Sequence, residues 1–190
     1  MKNEHLKKVT EFSILYGFDP LQKEATKGEI RAFIYQRYKL FISEKKELLE
    51  ALKNNDAVEI ADGFADMLYI ALGSYYLSQN IEWLKKIYLK RVVALYEAIY
   101  KVYTHTQFEL IFNEVHRSNM SKACNSLDTA MKTIASDRYK HLSSFKINVN
   151  GGQYALYSNS EDLFNDVPKG KLLKSIDYSE ADLNFVRQWK

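Results

Sequence analysis

Five carboxylates set the chemistry of this chain. Glu44 and Glu47 stand three residues apart, and Glu59, Asp62 and Asp66 follow after a short polar break at Lys53-Asn54-Asn55-Asp56. At about 100° per residue, Glu44 and Glu47 share one face of a first helix, and Glu59, Asp62 and Asp66 fall within roughly a 60° arc of a second. Two helices joined by so short a break are antiparallel neighbours, so the five acids are expected to converge. Carboxylates packed together repel, and desolvation penalises each one. Either they face water, as acids on exposed helices usually do, or a divalent cation neutralises them. Magnesium suits the second case, because it prefers oxygen ligands and shares them with substrate phosphates. Asp62 and Asp66 favour the cation: Asp is a poor helix former, yet both sit mid-helix among small and apolar residues.

Three further groups could act on a ligand. Arg37 lies two turns before Glu44, placed to pair with a carboxylate or to reach a phosphate. His116, Asn119 and Lys122 recur every three residues on one helical strip. The amide can read a base or hold a sugar hydroxyl, and the lysine can meet a phosphate as a point charge. Lys169, Lys171 and Lys174 form a basic cluster near the C-terminal end; plain surface lysines are the alternative. His5 reads as an exposed polar residue, and Cys124 as a small half-buried one rather than a nucleophile.

The sequence resembles a known family at three places. Glu44-x-x-Glu47-Leu-x-x-Ala51 with Glu59-Ile-Ala-Asp62-Gly-x-x-Asp66-Met-Leu-Tyr is similar to the metal motif of the all-α nucleoside triphosphate pyrophosphohydrolases, which include MazG-type enzymes, dimeric dUTPases and phosphoribosyl-ATP pyrophosphohydrolases. Val115-His116-Arg117-Ser118-Asn119-Met120-Ser121-Lys122 resembles the V-H-x-S-N-M-S-K segment of a MazG-like branch common in bacteriophages. Gly170-Lys171-Leu172-Leu173-Lys174-Ser175, with Tyr178 after it, resembles the close of the same branch. The resemblance implies hydrolysis of a (d)NTP to the monophosphate and pyrophosphate. The implied cofactor is Mg2+, with Mn2+ as a substitute. The implied metal ligands are Glu44, Glu47, Glu59, Asp62 and Asp66, with Glu59-Asp62 and Asp62-Asp66 both open as the inner pair; one of the carboxylates takes the water's proton, and of the catalytic candidates Glu44 and Glu47 the choice here is Glu47. Arg37, His116, Asn119, Lys122, Lys171 and Lys174 are the implied substrate contacts. Ser43 departs from the pattern, since many relatives carry a further Glu there. A phosphoribosyl-ATP pyrophosphohydrolase and a non-catalytic nucleotide-binding or interaction protein of the same fold are the alternatives. Members are mostly dimers or dimers of dimers, and many have a short helix over the substrate where residues 18–28 lie here.

The elements that must position these groups read as a mainly α helical bundle with one small β-hairpin. Residues 1–123 form a helical catalytic core, with residues 124–190 packed on the same domain. A first helix covers 3–16 and closes at Gly17. A long helix runs from about 29 to 53, its apolar stripe marked by Phe33, Leu40, Phe41, Leu48 and Ala51. The metal helix runs from Asp56 to about 78, with Asp56 as N-cap and Glu59 completing a capping-box variant. Amphipathic helices over 81–103 and 107–122 follow, then a shorter one after Ser126. Strands over 145–149 and 154–158 flank Asn150-Gly151, a strong hairpin signal, and should pack on the sixth helix. Residues 159–168 are a polar loop, and Phe185 and Trp189 dock the final segment back on the body.

Gly and Pro number 7 and 2 in 190 residues, which favours long helices. A net charge of +3 is too small to argue for nucleic acid. The single cysteine excludes an internal disulfide and fits a reducing compartment, and no signal-like or membrane-spanning run is evident. The expected setting is the cytoplasm, that of the host if the chain is phage-encoded.

Overall fold

The computed structural model describes residues 3–160 and 170–189. Its elements are α1 (Asn3–Leu15), α2 (Lys27–Asn54), α3 (Ala57–Leu77), α4 (Glu82–Ile99), α5 (His105–Met120), α6 (Leu127–Ala135), β1 (Phe145–Asn150), β2 (Gln153–Ser158) and a terminal 3-10 turn, Asn184–Gln188. Among the described residues the chain is mainly α with one two-stranded antiparallel sheet, as the sequence implied. Lys169 and most of the polar loop of 159–168 lie outside the described residues. By contacts the chain divides into two compact units. The first comprises Met1–Thr10, Asp19–His116 and Asp182–Lys190; the second comprises Glu11–Phe18 and Arg117–Ala181.

In the first unit α3 is the central helix. Its middle, from Ala61 to Ser74, is buried almost all round, with only Asp62, Asp66 and Ile70 half-exposed. Small residues permit this. A Cβ on Gly63 would stand 3.0 Å from Leu48 Cβ and 3.2 Å from Leu48 Cα, so glycine lets α2 pack against α3. The α2 helix starts at Lys27, earlier than its apolar pattern suggests. Thr26 accepts from Glu29 N–H while the Glu29 carboxylate accepts from Thr26 N–H, a full capping box. It ends at Asn55, which adopts the left-handed conformation at φ 54°. Asp56 then caps α3 by accepting from Val58 and Glu59 N–H. The reciprocal half of that box is not used, because Asp56 N–H goes to Ala51 O instead. Glu59 is therefore not needed as a cap. No short helix forms between residues 18 and 26; that stretch contains only a turn.

His5 overturns the reading of an exposed polar side chain. It is fully buried, stacked on Tyr96 and packed against Phe108 and Phe112. Its Nδ1 hydrogen-bonds the Tyr96 hydroxyl at 2.8 Å, and its Nε2 lies 3.1 Å from Glu109 Oε1. Polar partners at both ring nitrogens are what allow an imidazole to sit among aromatic rings.

The second unit is built around β2. One edge pairs with β1, from Phe145↔Ser158 to Asn150↔Gln153. The other edge bonds chain segments rather than a strand: Cys124 and Tyr154 exchange both backbone bonds, and Leu173 N–H donates to Leu156 O. That explains why β2 is buried from Ala155 to Ser158 while β1, an edge, has no buried residue. The turn is centred on Gly151-Gly152 at φ 56° and 81°, one residue later than Asn150-Gly151, because both central positions require positive φ. As expected, the hairpin packs with α6: Ala130, Leu156, Leu173 and Cys124 share one core with Tyr139 and Leu142. Gly17 closes α1 at φ 64°, and Asn148 and Asn150 donate to its last carbonyls, Leu15 O and Ile14 O.

Candidate active site

Leu48 meets Gly63, and in the same antiparallel register Arg37 meets Ser74. This register places Glu44 nearly level with Asp66, and Glu47 within about two residues, roughly 3 Å, of Asp62. On both helices the acids fall to the same side of the seam, at about 40–100° from the line of contact. Glu44, Asp62 and Asp66 are half-buried, while Glu47 and Glu59 are exposed. Among the described residues no three His, Cys, Asp or Glu side chains are gathered closely enough to ligate an ion. The donor set itself is all carboxylate oxygen, the chemistry of a hard dication. Ser43, at the position of the departed acid, reaches Glu47 Oε1 only at 3.5 Å.

Arg37 is engaged inside the seam. Its Nε donates to Ser74 Oγ and its Nη2 to Ile70 O, both at 2.9 Å. Gly73 makes room, since a Cβ there would stand 3.3 Å from the same Nη2. Burial lowers the guanidinium to about 10, still a cation at neutral pH. The structure thus gives Arg37 a positioning contact on α3.

His116, in the first unit, lies against Tyr69: the rings are stacked and Nδ1 is 3.0 Å from the hydroxyl. Tyr69 received no role from sequence, although it closes the Asp66-Met-Leu-Tyr motif. Asn119 and Lys122 belong to the second unit. Asn119 is buried, its Oδ1 accepts from Lys122 Nζ, and its backbone carbonyl accepts from the Tyr16 hydroxyl. The two downstream motifs join along this segment. Ser175 N–H donates to Lys122 O, Ser179 N–H to Ser121 Oγ, and Arg117 to Glu180 O, with the Ser118 and Tyr178 hydroxyls 3.3 Å apart. Lys174 lies over the Tyr178 ring at 4.1 Å and 3.8 Å from Glu180, while Lys171 is exposed. Sequence spacing identified both motifs but not that one binds the other.

Residues 20–88 match the family model for phosphoribosyl-ATP pyrophosphohydrolase, a span holding α2, α3 and all five acids. The matched family is one of the all-α MazG-like NTP pyrophosphohydrolase superfamily, and the match covers about a third of the chain. The match ends before the motifs at 115–122 and 170–178. No curated protein and no solved structure shows significant similarity to the chain. The family points to a pyrophosphohydrolase enzyme. No helix among the described residues is long and apolar enough to cross a membrane.

Proposed function

We propose that the chain hydrolyses a nucleoside triphosphate to the monophosphate and pyrophosphate, with a magnesium ion held on the α2–α3 acidic face. The observation that carries this reading is the register, which sets Glu44 nearly level with Asp66 and Glu47 within about two residues of Asp62 along the axes, on one flank of a seam closed by Gly63. Glu44, Asp62 and Asp66 would supply the inner oxygens, and Glu59, not needed for capping, is available to complete the set. A bound magnesium ion would supply polarisation of the phosphate oxygens and acidification of the attacking water. Glu47, exposed and on the open flank, takes the proton of that water. The water oxygen joins phosphorus, the α–β anhydride bond breaks, and pyrophosphate leaves with the bonding electrons. Arg37 fixes α2 against α3 at Ser74 and so holds the two halves of the acidic face in register. Taken by themselves, Asn119 and Lys122 are proposed substrate contacts, the amide for base or sugar and the ammonium for phosphate.

The family match itself favours a second substrate, phosphoribosyl-ATP, in which the same kind of anhydride is cleaved. Pyrophosphate release from a panel of (d)NTPs and phosphoribosyl-ATP, with magnesium and with chelator, tests both. Magnesium-dependent release from one or more (d)NTPs is expected. Turnover of phosphoribosyl-ATP alone would transfer the assignment to that substrate, and no release from any would leave a non-catalytic nucleotide binder. In the same panel Asn119→Ala should reorder the substrates and Lys122→Ala should weaken all alike; unchanged rates in both would make the strip structural.

A homodimer is proposed on separate grounds. Tyr35, Tyr38, Leu49 and Leu52 on α2, and Trp83, Ile87 and Val93 on α4, are 45–64% exposed. Tyr35, Tyr38, Leu49 and Leu52 fall in one 3.5-residue register on α2, with Ile42 and Lys45 at the positions between them, and exposed apolar side chains in such a register fit a second copy. Sedimentation velocity should give a dimer or a dimer of dimers; a stable monomer at micromolar concentration would refute it.

A further inference from the structure

A second cleft opens on the far side of α3. Ala57 and Ile60 border it, and their mean direction lies roughly 160° around the helix from that of Glu59, Asp62 and Asp66. Its volume is about 590 Å³, within the range of small-molecule sites. Every lining residue belongs to the first unit. The walls are aromatic: Tyr100 and Tyr103 from the α4–α5 connection and Trp189 from the terminal turn, with the Tyr103 and Trp189 rings edge to face at 6.2 Å. Burial raises the Tyr103 hydroxyl to about 12, which keeps it a donor at neutral pH. Gln107 adds a directed group. Its Oε1 accepts from both Thr104 N–H and Thr104 Oγ in the N-terminal cap of α5, so the amide N–H donors are what it offers to the cleft. Lys101 supplies an exposed cation at the rim, and the first turn of α5 carries no acidic residue to oppose an anion there.

We infer that this cleft is a second ligand site, distinct from the acidic face, for a planar heteroaromatic ring carrying a phosphate: the chemistry of a nucleoside monophosphate. The ring would lie among Tyr100, Tyr103 and Trp189, with its edge toward Gln107 and its phosphate toward Lys101. Aromatic walls tolerate any base because each has a π face, so preference among bases should be modest.

Trp189 reports on the site. The chain has two tryptophans, and Trp83→Phe leaves Trp189 alone. In chelator, which withholds metal from the acidic face, titration of the Trp83→Phe protein with AMP, GMP, CMP and UMP should give saturable quenching. Adenosine should bind more weakly than AMP, and inorganic phosphate should give no quenching. Gln107→Glu retains the capping oxygen and removes the donors. It should leave the melting temperature in place and weaken AMP roughly tenfold or more. Asp62→Asn should leave the titration unchanged. Absence of saturable quenching into the high millimolar range would overturn the site. So would loss of quenching in Asp62→Asn with Gln107→Glu silent, because the ring would then sit on the acidic face. Equal affinity for adenosine and AMP would overturn the phosphate half. Because the readout is binding without metal, failure of the hydrolytic reading and failure of this site are distinguishable.

Discussion

Glu47→Gln is expected to lower kcat by about 10²–10⁴-fold, the range over which a positioned proton acceptor contributes. Gln keeps the size and most of the hydrogen-bonding reach of Glu but cannot hold the water's proton. Glu47 is exposed and its neighbour Leu48, not Glu47 itself, fills the helix seam. The melting temperature should therefore stay nearly unchanged, since surface substitutions away from special features usually act within about ±0.5 kcal/mol. Asp62→Asn supplies the contrast. Asp62 is half-buried and proposed as a metal ligand, so its loss should also raise the magnesium concentration needed for half-maximal rate. Steady-state rates against magnesium concentration for both variants separate the two roles. Full magnesium-dependent activity in Glu47→Gln would remove Glu47 from the chemistry.

The placement of the acids on α2 and α3 was legible because it is local. Helical spacing and one short break carry all five acids, and the positions of α2 and α3 follow from the same pattern. The helix starts were legible where a capping residue was recognised, as at Asp56. Thr26, with Glu29 three residues on, carries the same signal, and α2 therefore begins earlier than its apolar stripe. What spacing could not give is contact between distant segments. Nothing around His5 predicts that Tyr96, Phe108 and Phe112 enclose it from two other helices. The same holds for Ser175–Ser179, whose backbone bonds the 117–122 segment more than 50 positions away. The aromatic cleft is a third case, since its walls come from α3, the α4–α5 connection and the terminal turn. The α1 and α5 helices each contribute residues to both compact units, which a uniform apolar periodicity does not announce.

The Gly63 position joins stability to chemistry, and Gly63→Val should show both. Glycine in a helix interior costs about 1 kcal/mol relative to alanine, so its presence in α3 calls for an offsetting contact. That contact is Leu48: a Cβ would stand 3.0 Å from Leu48 Cβ and 3.2 Å from its Cα, and the second of these is backbone. A side chain can rotate away, but a backbone atom moves only with its helix. Valine adds two methyl groups beyond the Cβ, so α2 must lift from α3. Overpacking of this kind costs about 1–3 kcal/mol, which for a chain of this size lowers Tm by roughly 2–12 °C. The separation also pulls Glu44 and Glu47 away from Asp62 and Asp66, because the acids sit on the rims of the same seam. The variant should therefore lose magnesium affinity as well as stability, at temperatures well below its own Tm. Gly63→Ala is the graded control, with the gain in helix propensity set against the same close approach and a smaller loss in both measurements. Thermal melts and magnesium titrations of rate on the two variants give the answer. A Gly63→Val protein that melts lower yet keeps its magnesium dependence would show that the seam supports the fold without setting the geometry of the acids.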